Sequence, residues 1–144
     1  MFQYTLEHKY QLLGILGGIV ALVMIVTGIR YYSLQRSNEA FALLERSRTK
    51  YEKLLDEKNP QTAYGEVSAE FENLLDKYGD KAGGKLARIV FADICYRAEK
   101  IDQAISLYEK ALTDFQDPFI KNSVLNGLAY SYEKKQAYKK ETLL

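Results

Sequence analysis

A reaction centre needs an acid, a base or a nucleophile held beside a partner, and this chain is poor in all three. Its 144 residues include one histidine, His8, and one cysteine, Cys95. With His8 beside the apolar segment, the rest of the chain has no Cys-His or Ser-His-Asp arrangement. A single cysteine forms neither an internal disulfide nor a cysteine-based metal site. The 19 carboxylates fall at polar helix positions, with no local apolar setting to raise a pKa. Gly83-Gly84 follows no strand and lacks the G-x-x-x-x-G-K-S/T frame of a phosphate loop. No catalytic residue, cofactor or metal ligand is expected, and the chain reads as a non-enzyme. The 20 basic residues nearly cancel the acidic ones, for a formal net charge of +1, so there is no case for nucleic acid, which calls for a basic face. Lys134, Lys135, Lys139 and Lys140 are interspersed with Glu133 and Glu141 and read as a solvated helix face.

The residue types therefore suit binding, and the first partner is a lipid bilayer. Residues 12–29 carry no charged side chain. As a helix, roughly 18 residues reach about 27 Å, enough to cross the hydrocarbon core. His8 and Lys9 precede the run and Arg30 follows it; Tyr10 and Tyr31-Tyr32 fall at the two headgroup levels, where amphipathic rings are favoured. The run is longer than a secretory core and ends in Ile-Arg-Tyr-Tyr-Ser-Leu without a small-residue cleavage pattern. It is read as an uncleaved anchor. Gly14, Gly18 and Ala21 make a small-residue stripe that either packs against another transmembrane helix or holds glycines merely tolerated in a spanning helix.

The elements that follow are all helical. No proline or glycine falls between Ile29 and Asn59, so the spanning helix is expected to continue to about Lys58. Leu34, Ser37, Phe41, Leu44, Arg48, Tyr51 and Leu55 are its expected stripe. Asn59-Pro60 ends it, with Thr62 as the next cap. Helices are expected over about 62–78, 82–98, 102–113 and 117–133, the last opened by Asp117-Pro118 as cap and first residue. A turn at 134–136 and a short helix to Leu144 follow. The domains are a tail (1–10), a transmembrane helix (11–32), a continuing long helix (33–58) and repeats (62–144), the last incomplete.

Two stretches repeat one grammar. Phe91-Ala92, Cys95-Tyr96, Ala104, Tyr108 and Ala111 match the large and small positions of a tetratricopeptide unit, and residues 102–112 resemble its second helix. Leu125, Leu128-Ala129, Tyr132 and Ala137-Tyr138 mark the next first helix and turn, with Ala92 and Ala129 as counterparts roughly 37 residues apart. Phe71 and Leu74 read as the second helix of a degenerate earlier unit. Small residues let paired helices approach while Phe91 and Tyr108 fill the gaps. Cys95 is read as a buried apolar filler, and Tyr96, Tyr108, Tyr130 and Tyr132 mostly as packing residues. First-helix positions give the candidate protein-binding groove: Ile89, Asp93, Tyr96 and Arg97, then Asn126, Tyr130, Glu133 and Lys134. This mixed polar and aromatic surface suits peptide segments.

The short tail, spanning helix, Gly-Ile-Arg-Tyr-Tyr exit, long helix rich in Ala, Leu and Tyr, and tetratricopeptide-like repeats together resemble the bacterial ancillary SecYEG translocon subunit family. The resemblance implies a single-pass inner-membrane protein with periplasmic repeats, partnered by the translocon and periplasmic chaperones in protein export. The alternative is an accessory structural subunit of a large membrane complex. The flanking charges point the other way: Lys9 stands before the anchor and Arg30, Arg36, Arg46 and Arg48 after it, a bias that favours a cytoplasmic domain. The array is also read as unfinished, with Tyr132, Tyr138, Leu143 and Leu144 covered by further residues, a second copy or another subunit.

Overall fold

The computed structural model describes residues 9–142; the tail residues 1–8 and the expected edge residues Leu143 and Leu144 lie outside the described residues. Five helices follow one another: α1 (Lys9–Glu57), α2 (Pro60–Tyr78), α3 (Ala82–Arg97), α4 (Ile101–Asp114) and α5 (Pro118–Thr142). Among the described residues there is no strand. The helix is unbroken through residues 30–37, as the absence of proline and glycine dictates.

The chain divides into two compact units, one up to Gln35 and one from Arg36. In the first, every described side chain from Gly14 to Tyr32 is exposed, with Leu22, Met24 and Ile29 each more than 60% accessible. This is the one helix among the described residues long and apolar enough to cross a membrane. Its one described hydroxyl between Gly14 and Ile29 is satisfied internally, Thr27 Oγ1 donating to the Val23 carbonyl at 2.7 Å.

The second unit begins inside α1 rather than after it. Ala40, Leu44, Ser47 and Tyr51 are buried at steps of four, three and four. This differs from the expected stripe: Phe41 is 41% exposed, Leu34 62% exposed, and Arg48 lies outside. The residue that packs is the small one, because Gly83 of α3 crosses there. A Cβ on Gly83 would stand 2.7 Å from the Phe41 nitrogen and 2.8 Å from Ala40 Cβ, so the crossing needs small residues on both sides.

Helix α2 pairs with this part of α1 in antiparallel fashion. Ser47 Oγ donates to Glu70 Oε2 (3.0 Å), Lys50 Nζ to Glu70 Oε1 (2.5 Å), and Tyr78 OH to Glu39 Oε2 (3.1 Å). The N-cap of α2 is Asn59, not Thr62: Asn59 Oδ1 accepts from the Thr62 amide at 2.9 Å, and Pro60 takes the first helical position, where its missing N–H costs nothing. Ala63, Val67, Phe71 and Leu74 face inward. Phe71 and Tyr64 both stack on Phe91 of α3, at 5.1 and 6.1 Å between ring centres; such pairs add about 0.5–1.5 kcal/mol beyond area burial.

Helices α3 and α4 are joined by a tight reversal. Glu99 adopts φ 62°; its amide donates to the Tyr96 carbonyl (3.2 Å) and that of Lys100 to the Cys95 carbonyl (2.8 Å), the paired bonds of a Schellman cap. Ala92, Cys95, Ala104 and Ala111 are fully buried, and Phe91 and Tyr108 nearly so, in agreement with the small-and-large reading. Arg88 of α3 bonds Asp114 of α4 and donates to the Gly79 carbonyl at 3.2 Å, with both acid and base side chains 14% exposed.

Helix α5 opens as expected, with Asp117 Oδ1 accepting from the Phe119 and Ile120 amides (2.9 and 3.1 Å). It then departs from the reading twice. The helix continues through residues 134–136 to Thr142, because Lys134, Lys135, Gln136 and Ala137 are helix formers with no breaker among them. Ala129 is exposed instead of packed. The cause is Gly127, where a Cβ would meet the Tyr108 ring at 2.5 Å. Turning Gly127 inward places Val124, Leu128 and Ser131 on the packed face and carries Ala129, Tyr130 and Tyr132 outward. Tyr130 and Tyr132 are 61% and 42% exposed, so neither is a packing tyrosine.

Candidate protein-binding face

Helix α3 carries four of the candidate residues, and its packing divides them. Ile89 is half-buried against the core, so it supports the fold more than the surface. Asp93 accepts a hydrogen bond from the Tyr108 hydroxyl. Burial first, and then the Asp93 carboxylate, drive the Tyr108 phenol far above its ordinary pKa. Asp93 and Arg97, with Val90 and Ile94, line a cavity of about 270 Å³ whose opposite wall is Arg48, Tyr51, Glu52 and Leu55 of α1. Arg48 Nε is paired with Glu52 at 2.9 Å. The Tyr51 hydroxyl is buried without a hydrogen-bond partner; burial raises its pKa, partly opposed by the Arg97 charge.

Of the remaining candidates, the structure brings together Tyr96, near the end of α3, and Lys134 of α5. Lys134 Nζ lies 5.0 Å from the centre of the Tyr96 ring and 6.0 Å from that of Tyr138, within cation–π range. It also stands 3.6 Å from Glu99. Asn126, Tyr130 and Glu133 are exposed along α5. The structure thus joins Tyr96 with Lys134, and Asp93 with Arg97, and leaves Ile89 in the packing layer. Sequence reading assigned Arg48, Tyr51, Glu52 and Leu55 no part in the groove. Their signal was the α1 stripe itself, which marks a packed face but not which helix packs on it.

Other features bear on chemistry. Cys95 is fully buried, and burial pushes its thiol up to about 12, which keeps it a thiol and a packing group. Among the described residues, no three His, Cys, Asp or Glu side chains converge on a metal-sized site. A cavity of about 740 Å³ lies along Ala42, Arg46, Thr49, Lys50 and Lys53 of α1 and Glu70 of α2, with charges of both signs. In the apolar segment, a Cβ on Gly14 or Gly18 would meet nothing within 4 Å, and Ala21 is exposed. The arrangement offers stacking, hydrogen bonding and charge to something outside it. No known protein family, curated protein or solved structure matches this chain.

Proposed function

We propose that this chain is a membrane-anchored scaffold that binds other proteins. The apolar part of α1 crosses a bacterial inner membrane, and the helices after it act as a tetratricopeptide-like solenoid. Its binding face is the flank of α3 and α5 bearing Asp93, Tyr96, Arg97, Asn126, Tyr130 and Lys134. The observation that carries the reading is the exposed Tyr130, one helical turn before the Lys134 that stands over the Tyr96 ring. Aromatic and arginine side chains held on rigid helices are the groups that most often anchor protein interfaces. The resemblance to the ancillary translocon subunits supplies the rest: a place in protein export, partners among translocon and periplasmic chaperone proteins, and a periplasmic domain.

A second reading is an accessory subunit of a large membrane complex, favoured by the open surface at Gly14, Gly18 and Ala21, which permits close approach of another helix. One experiment separates the two. A photoreactive residue at Tyr130 is crosslinked in intact membranes, and the adduct is purified in mild detergent. Adducts with export components support the scaffold. A stoichiometric enzyme or transporter complex, lost on Gly14→Ile or Gly18→Ile, supports the second reading. No adduct at Tyr130 overturns the binding face.

A further inference from the structure

Leu125, Ala129 and Tyr132 recur on α5 at steps of four and three and lead to Gln136. Leu125 is 48% and Tyr132 42% exposed, with Ala129 exposed between them. Such spacing lines up side chains on one helix face. A small residue at its centre lets a neighbouring helix axis come within about 8–10 Å. The stripe is turned roughly 130° around the helix from Asn126, Tyr130 and Lys134, so it is separate from the binding face proposed above. Its largest side chain is already held, since the Tyr132 hydroxyl donates to Glu109 Oε1 at 2.7 Å. A fixed ring reduces the ordering cost of binding.

Charge selects the partner. By helical spacing Lys121 and Lys139 border the stripe on one side and Lys140 on the other. The ion pairs of α5 employ different lysines: Lys134 with Glu99 at 3.6 Å and Lys135 with Asp102 at 2.7 Å. Among the described residues Lys121, Lys139 and Lys140 have no carboxylate partner. The acidic neighbours are Glu133, beyond Lys140, and Glu109 of α4, which accepts from the Tyr132 hydroxyl, so three lysines face two carboxylates. A second copy of α5 would bring the same lysines and be repelled. We propose that the Leu125–Ala129–Tyr132 stripe docks an acidic amphipathic helix of another protein. The partner's apolar side chains lie over Ala129 and its carboxylates meet Lys121, Lys139 and Lys140.

The test uses the full chain in mild detergent and two labelled helical peptides with leucines at i, i+3, i+4 and i+7. One is flanked by glutamates and the other by lysines; fluorescence anisotropy reads the binding. The acidic peptide is expected to bind at least about tenfold tighter than its basic twin, with the preference shrinking as salt rises. Ala129→Gln places neutral bulk at the closest approach and should weaken the acidic peptide about tenfold, with the far-UV circular dichroism unchanged. Tyr130→Ala should leave this binding as it is, which keeps the test independent of the binding face above. Equal binding of both peptides, binding of neither, or indifference to Ala129→Gln would overturn the proposal. So would concentration-dependent self-association abolished by Leu125→Ser, which would make a second copy the occupant.

Discussion

Helices α4 and α5, expected as the second helix of one unit and the first helix of the next, end in different states. Helix α4 buries Ile101, Ala104, Ile105, Tyr108 and Ala111, whereas α5 among its described side chains buries Val124 and Ser131 and exposes Phe119, Leu125, Tyr130 and Tyr132. Helix α4 packs against α3 on one flank and α5 on another, so both sides of its small-and-large pattern are filled. For α5 the described contacts come from the α3 and α4 side. A packing motif is thus a statement about two surfaces. The residues of one helix specify what would fit, and the fold decides whether anything does.

The sharpest way to break that comparison is to remove one aromatic from each region. Phe91→Ala deletes a ring that is 1% exposed and stacked on both Phe71 and Tyr64. It should cost about 3–5 kcal/mol. Tyr130→Ala deletes a ring that is 61% exposed and should change stability by less than about 0.5 kcal/mol. Urea unfolding of the full chain in detergent, followed by circular dichroism, reads both. Similar losses would mean that α5 is covered after all.

A smaller contrast uses glycines in the middle of helices. Gly127 lies against Tyr108, whose ring cannot swing away because it is 2% exposed and its hydroxyl is bonded to Asp93. Gly127→Ala therefore loses about 1–3 kcal/mol to overpacking despite the better helix former. Gly65, on the exposed side of α2, has nothing within 4 Å of an added Cβ, and Gly65→Ala should gain up to about 1 kcal/mol. The same denaturation series compares them. A gain at Gly127 would show that α4 and α5 are less tightly joined than Tyr108 implies.

Much of this fold was legible because its signals are local. The break-free stretch after Ile29, the Asp117-Pro118 start and the Phe91, Ala92, Ala104, Tyr108 and Ala111 pattern all act within a few turns of helix. The misreadings arose where a distant residue decides. Ala40 rather than Phe41 faces inward because Gly83, more than forty positions away, crosses there. Ala129 turns outward because Gly127 must meet Tyr108. Asn59 takes the cap from Thr62 because Pro60 is suited to the first helical position. The candidate face divides in the same way. Tyr96 and Lys134 were both named from repeat position, while the α1 wall of the Asp93–Arg97 cavity depends on a helix pairing that no spacing rule specifies.

The smallest effect concerns the turn that sets α4 against α3. Glu99 holds φ 62° at the position after the helix cap, where a Cβ costs about 1 kcal/mol and glycine does not. Its side chain returns little: it is 53% exposed and 3.6 Å from Lys134, and such surface pairs contribute about 0–1 kcal/mol. Glycine also loosens the unfolded chain, which offsets part of the gain. Glu99→Gly should therefore stabilise the helical array by about 0.5 kcal/mol, a rise of a few degrees in Tm. Because Lys134 then loses its acidic neighbour but keeps the Tyr96 ring, the crosslinking yield from Tyr130 should be unaffected. A fall in Tm on Glu99→Gly would assign the Glu99–Lys134 contact a larger part in holding α5 to α3 than its exposure allows, and would narrow the difference between the two helices.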